Sequence, residues 1–288
     1  MASRTERLFV EQLGSGMPVM LMHGGLGFDH TTFRPWLDKL AESARVVYYD
    51  HAGNGRSYRP DDWSTLDHAR WIEDAEELRR DLGLGRIVLL GHSYGGFLAQ
   101  EYALRYPDSL AGLVLCCTAP VLDFGPVIFA NAEARGTAEQ AEIVRTTFSG
   151  PVPDDDTLTS VMKAIGSLYF HRTDPALTPG VFGDVRFSGG AYSRAFFGCI
   201  QHFDTRSSLH SIRTPTLLMG GADDWIMPVE HGIHRIAEQM SHAEIEVLPA
   251  SGHFPWAEEP DRFLGVLRAW LRRLDAYQEP SGHADASR

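Results

Sequence analysis

Residues Ile87-Val88-Leu89-Leu90-Gly91-His92-Ser93-Tyr94-Gly95-Gly96 demand a buried strand that turns at once into a helix, with a serine at the apex. Four β-rich apolar residues run into Gly91. Phe97, Leu98, Ala99, Tyr102 and Ala103 then fall at helical spacing until Tyr106 and Pro107 stop the helix. Glycines on either side of the serine let the backbone double back without a Cβ clash, which leaves the Ser93 hydroxyl exposed at the strand end. The G-x-S-x-G pattern alone is weak in a chain with 28 glycines. Its strand-turn-helix frame makes it a nucleophile elbow.

Short apolar runs recur at residues 19–22, 46–49, 87–90, 113–117, 216–219 and 245–248, the pattern of parallel strands buried on both faces. Helical patterns alternate with them, notably over 71–82 and 97–106. Phe263, Leu267, Trp270 and Leu274 form one stripe after Pro260 and mark a final helix. The expected fold is α/β, a mostly parallel, doubly wound sheet covered on both faces.

The rhythm breaks between about Pro120 and Arg213. Gly125-Pro126, Gly150-Pro151, Thr178-Pro179-Gly180 and Gly189-Gly190 interrupt amphipathic pieces such as 158–170, and no apolar strand of the core type occurs. This stretch is expected to be a mostly helical cap, inserted after the sixth strand and lying over the strand ends near Ser93. The chain thus divides into a core at 1–119, the cap at 120–212, the rest of the core at 213–277, and a polar tail at 278–288 that reads as disordered. The acidic run Asp154 to Asp156 reads as a solvated loop rather than a metal site.

Composition excludes several function classes. The net charge of −12 argues against nucleic acid or anionic membrane as a partner, since either needs a clustered basic surface. No apolar run approaches the length of a membrane span, and the opening MASRTERLFV lacks the apolar core of a secretory signal. Three cysteines, two of them the adjacent Cys116 and Cys117, form no disulfide framework; a cytoplasmic protein is expected. His231 and His234 have no third ligand at metal-site spacing and read as surface histidines. The glycine pattern of residues 24–27 matches neither a phosphate-binding loop nor a dinucleotide fingerprint, so neither cofactor nor metal is expected. The implied partner is a small-molecule substrate.

A serine hydroxyl attacks only when a base takes its proton, and that base must itself be oriented by an acid. Downstream of Ser93 two segments can supply them. Asp223 and Asp224 follow the strand at 216–219, and His253 follows the strand at 245–248. Each sits on a loop at the carboxyl end of a parallel strand, the sheet edge where Ser93 also emerges, so residues far apart in sequence converge there. Only one of the adjacent acids can face the histidine. The oxyanion of a tetrahedral intermediate needs two backbone N–H donors, one from Tyr94 in the elbow and one from the glycine-rich loop His23-Gly24-Gly25-Leu26-Gly27. Asp50-His51-Ala52-Gly53-Asn54-Gly55 is a second glycine-rich turn, read as structural and shaping the floor of the site. Cys116 and Cys117 read as buried packing residues.

HGGLG at 23, YYDHAGNGRS at 48, GHSYGGFLAQEYALRYP at 91, GGADDWIMP at 220 and SGHFPWAEEP at 251 together resemble the α/β-hydrolase superfamily, over nearly the whole chain except the cap. The first two segments look most like its proline iminopeptidase branch. The resemblance implies a serine hydrolase with Ser93 as nucleophile, His253 as base, Asp224 rather than Asp223 as acid, and the Gly25 and Tyr94 N–H groups as oxyanion hole. The chain departs from that branch in having Leu26 where a proline is usual, and His92 and Tyr94 around the serine. No cap glutamate for a substrate amine can be identified. Small esters, lactones or related acyl compounds are therefore the expected substrates, with an aminopeptidase, a C–C bond hydrolase and a non-catalytic ligand-binding module as alternatives.

Overall fold

The computed structural model describes residues 5–172 and 174–278. Seven strands form one sheet: β1 (Val10–Leu13), β2 (Pro18–Met22), β3 (Arg45–Tyr49), β4 (Ile87–His92), β5 (Leu110–Cys116), β6 (Thr216–Gly221) and β7 (Glu244–Leu248). Their order is β1-β3-β2-β4-β5-β6-β7, with β1 antiparallel to β3 and every other pair parallel. Every residue of β4, β5 and β6 is buried, which is why these strands read as unbroken apolar runs. Strand β1 was not among the expected strands. Its Val-Glu-Gln-Leu sequence alternates, and it lies half-exposed at the sheet edge. At the opposite edge β7 leaves Glu244 and Ile245 exposed.

Between the strands run the covering helices α1 (His68–Asp81), α2 (Tyr94–Arg105) and α8 (Ile233–Gln239), and after β7 come a single turn α9 (Pro255–Glu258) and the long α10 (Pro260–Gln278). Helix α1 starts three residues before its apolar stripe, because the Asp67 side chain accepts from the Arg70 N–H and caps it. In α10 the stripe Phe263, Leu267, Trp270 and Leu274 is buried, as its spacing requires. Gln278, the first residue of the expected tail, ends α10, and the rest of that tail, 279–288, lies outside the described residues. Among the described residues no helix is long and apolar enough to cross a membrane.

Helices α3 (Gly125–Arg135), α4 (Ala138–Thr147), α5 (Asp155–Ile165), α6 (Leu177–Phe182) and α7 (Gly189–Arg194) all lie between β5 and β6. The insertion therefore follows the fifth strand rather than the sixth, because only four strands precede β5 among the described residues. Asp154 to Asp156 do not form a loop. Asp154 caps α5 by accepting from the Thr157 N–H at 2.7 Å, and Asp155 and Asp156 occupy its first turn, where the helix dipole favours carboxylates. The α-helix ends at Ile165, so the amphipathic stretch 158–170 continues as a 3-10 turn rather than one helix.

The register sets what lies at the carboxyl edge. Met22 pairs with Gly91, His92 with Cys116, Cys116 with Met219, and Gly221 with Leu248, so the loops after β2, β4, β5, β6 and β7 emerge side by side. After β3 the chain crosses to the other side of β2 to form β4. That reversal opens a crevice at the ends of β2 and β4, the place where open α/β sheets bind ligands.

The elbow helix α2 is locked to α1 by Glu76, whose side chain is only 4% exposed. Its carboxylate accepts from Arg79 Nε at 2.7 Å, Arg80 Nε at 2.6 Å and the Tyr102 hydroxyl at 2.6 Å. Burial opposes the charge, but Arg79, Tyr102 and Arg80 outweigh it and hold the carboxyl at about 2. A carboxyl lowered in the folded state stabilises the protein above its ordinary value of 4.5 and loses that contribution as pH falls toward 2. Glu76→Gln is accordingly expected to cost about 1–3 kcal/mol at pH 7, with the cost shrinking as denaturant unfolding is repeated at pH values falling from 4.5 toward 2.

Candidate active site

The elbow is built by close packing. Ser93 has φ 53° and ψ −120°, a left-handed conformation that costs a residue with a Cβ about 1–3 kcal/mol. Its backbone is held on both sides: the N–H donates to the Cys116 carbonyl at 2.9 Å, and the carbonyl accepts from Gly96 N–H at 2.9 Å and Thr118 Oγ1 at 2.8 Å. A Cβ on Gly95 would stand 2.2 Å from the Met22 carbonyl oxygen, and one on Gly91 would stand 2.5 Å from that of Gly95. Both positions therefore admit only glycine. Tyr94 is the first residue of α2, so its N–H belongs to the first-turn donors that lack an intrahelical acceptor.

The loop after β2 runs alongside. Gly25 adopts φ 74° and lines the same cavity as Ser93 and Tyr94. Gly27 N–H donates to Asn54 Oδ1 at 2.6 Å, while Asp50 accepts from His30 Nδ1 at 2.7 Å and Arg56 N–H at 2.8 Å. The second glycine-rich turn thus buttresses the first.

Asp224 and His253 meet. Asp224 Oδ2 lies 2.7 Å from His253 Nδ1, both side chains being almost fully buried, and Asp224 Oδ1 accepts from the N–H groups of Ile226 at 3.1 Å and Met227 at 2.9 Å. Pairing at Nδ1 leaves Nε2 as the free ring nitrogen of His253. Ser93 and His253 line one cavity, although no hydrogen bond of the Ser93 hydroxyl is found among the described residues. Asp223 faces elsewhere. Its carboxylate pairs with His171 Nδ1 from the insertion, and its carbonyl accepts from Arg135 at 2.9 Å.

Other residues hold His253 in ways that local sequence does not signal. His253 N–H donates to the Tyr169 carbonyl at 2.7 Å, and His253 O accepts from His92 Nε2 at 2.9 Å. Donation to a carbonyl requires a proton on His92 Nε2. Burial, with the nearby His253 adding to it, pushes His92 far below the ordinary histidine range, so its ring is neutral. Glu258 spans two loops: one oxygen accepts from Gly252 N–H at 2.6 Å and the other from His171 N–H at 2.7 Å, and burial raises its pKa. Apart from the Gly252–Glu258 pair, six residues apart, these partners lie 84 to 161 residues apart along the chain, beyond the reach of any local pattern.

The cavity over Ser93 is apolar. Phe148, Tyr169, Tyr192 and Phe196 line it from among the insertion's aromatic residues, whereas Phe124, Phe129, Phe170, Phe182, Phe187 and Phe197 do not. No Asp or Glu is among its lining residues.

Two buried groups of possible metal donors lie nearby, His92 with Cys117 and His253, and Asp29 with His30 and Asp50. Their atoms are largely engaged within the protein. His253 Nδ1 meets Asp224, His92 Nε2 meets a carbonyl, and His30 Nδ1 meets Asp50. Burial pushes the Cys117 thiol well above its ordinary value, and both Cys116 and Cys117 pack in the core. His231 stacks on Phe124 at 5.2 Å.

A family profile described as the α/β hydrolase fold matches residues 17–260. The chain belongs to that family and is a hydrolase of the α/β fold. It is 29% identical to a proline iminopeptidase of Clostridium botulinum, over 93% of this chain and 94% of that one. Among solved structures it is similar to a thermophilic esterase from Thermogutta terrifontis, with a TM-score of 0.73 and 28% identity over 93% of each chain. A meta-cleavage product hydrolase from Pseudomonas fluorescens IP01 shares the fold with a TM-score of 0.72 at 19% identity, over 92% of this chain and 94% of that one.

Strain at the elbow is measurable without any substrate. Ser93→Gly is expected to melt about 2 °C or more above Ser93→Ala, because relief of about 1–3 kcal/mol outweighs the extra freedom glycine gains in the unfolded chain. Equal melting temperatures in calorimetry would show that the Cβ at this position is unstrained.

Proposed function

We propose that this protein is a serine hydrolase of neutral, predominantly apolar acyl substrates, short esters or lactones, acting through an acyl-enzyme. Ser93 is the nucleophile. His253 Nε2 takes its proton, Asp224 holds the imidazole with Nδ1 protonated and stabilises the imidazolium that forms, and the N–H groups of Tyr94 and Gly25 receive the oxyanion. A water then attacks the acyl-enzyme with His253 again as base. The observation that carries the substrate class is the acid-free lining of the cavity. A substrate ammonium buried there would lack a carboxylate partner, and an unpaired buried charge costs several kcal/mol. The 28% identity with an esterase favours the same reading.

The aminopeptidase reading has its own support in the 29% identity with a proline iminopeptidase over nearly the whole chain. A side-by-side assay of short-chain p-nitrophenyl esters, a lactone panel and a prolyl naphthylamide separates the two. Esters or lactones are expected to give the higher kcat/KM after correction for leaving-group reactivity; preference for the prolyl amide would give the site to a peptidase. Ser93→Ala should keep its fold and lose several orders of magnitude in turnover. The adjacent acids should separate widely. Asp224→Asn is expected to lower kcat about 10⁴-fold, by the loss of the orienting carboxylate, and Asp223→Asn far less, since its carboxylate pairs with His171. Reversal of that ranking would remove Asp224 from the mechanism.

A further inference from the structure

Behind the wall of the acyl cavity lies a second acid–imidazole–hydroxyl chain that the proposed mechanism does not use. Glu101 Oε2 on α2 lies 2.6 Å from His68 Nδ1 at the start of α1, and His68 Nε2 lies 2.7 Å from the Tyr94 hydroxyl. That hydroxyl also lies 3.2 Å from the carbonyl oxygen of Ala195, the first residue of a π-helical turn, Ala195–Cys199, in the insertion. Tyr94 and Phe196 both line the cavity, and their rings pack edge to face at 5.4 Å. The Tyr94 side chain is 1% exposed and burial raises its pKa well above the ordinary value, so the hydroxyl keeps its single proton.

One proton cannot serve two acceptors at once. With His68 neutral, Nδ1–H donates to Glu101 and the Tyr94 hydroxyl donates to Nε2. With His68 protonated, Nε2–H donates to the Tyr94 oxygen, and the hydroxyl proton is free to turn to the Ala195 carbonyl. Each state satisfies every group, and they differ in whether Tyr94 donates to the core or to the insertion. His68 borders a surface recess also lined by Asp67, Glu101, Arg194, Cys199 and His202, so it can exchange protons with solvent. Asp67 caps α1, and Arg194 donates to the Leu66 carbonyl at 2.6 Å, so neither competes for Nε2.

We propose that His68, oriented by Glu101, is a positioning residue that sets the Tyr94–Phe196 wall of the acyl cavity and, with it, substrate affinity. The proposal rests on Ser93 being the nucleophile of an acyl hydrolase. Ser93-dependent labelling of the wild-type protein by a fluorophosphonate probe tests that premise separately.

The discriminating experiment measures KM and kcat for a homologous series of p-nitrophenyl esters in the wild type, His68→Gln, His68→Leu, Tyr94→Phe and the His68→Leu/Tyr94→Phe double variant. His68→Leu is expected to raise KM for the longest ester accepted about fivefold, the equivalent of about 1 kcal/mol, with kcat within about twofold. His68→Gln, which restores a hydrogen-bonding group, should return KM toward the wild-type value. The double variant should match Tyr94→Phe alone, because both changes cut one chain. Multiplicative effects in the double variant, or a KM in His68→Leu equal to that of the wild type, would overturn the proposal. If His68→Leu does not fold, Tyr94→Phe decides: a KM equal to that of the wild type would overturn the proposal.

Discussion

The contact between the start of helix α2 and the end of strand β2 is the constraint on which the rest of the site depends. There is no space for a Cβ on Gly95 against the Met22 carbonyl, and a Cβ on Gly24 would stand 2.8 Å from both His92 Nδ1 and the Ser93 Cβ. Main chain therefore touches main chain where the loops after β2 and β4 run together. In the proposed mechanism, that separation lets N–H groups from two distant segments aim at one small atom. Ser93 accepts its unfavourable dihedral angles because strand β5 and Thr118 grip the peptide groups on both sides of it.

The parts of the molecule legible in the sequence were those where burial is complete and local. Strands β4, β5 and β6 announce themselves because both faces meet other protein, so nearly every position is apolar or glycine. Strand β1 escaped because an edge strand needs only one protected face, and Val10-Glu11-Gln12-Leu13 carries too short an alternation to stand out. The acidic run at 154 to 156 was misread for a related reason. A helix N-terminus and a solvated loop favour the same residues, and only the Thr157 N–H reaching the Asp154 side chain tells them apart. His253 and the pair of adjacent acids could be found from their loops at strand ends. The direction each acid faces could not, since it follows from the turn that gives Asp224 the Ile226 and Met227 N–H groups and leaves Asp223 to His171.

What was least legible is the framework around His253. His92, Tyr169 and Glu258 each make a hydrogen bond to the backbone of residues 252 and 253, and no local pattern signals those bonds. His92, buried and neutral with its proton committed to a carbonyl, braces that loop.

The hydrogen bond from His253 N–H to the Tyr169 carbonyl has a consequence for how such enzymes diversify. The backbone of the insertion supplies one of the supports of the histidine loop, and Glu258 ties Gly252 to His171 beside it. A cap transplanted from a relative would bring a new pocket but would also replace the anchor of the His253 loop. Residues 169–171 are thus the hinge between inheritance and innovation in this chain: they must be preserved as backbone geometry, whatever their side chains become, for any new lining to have working chemistry beneath it.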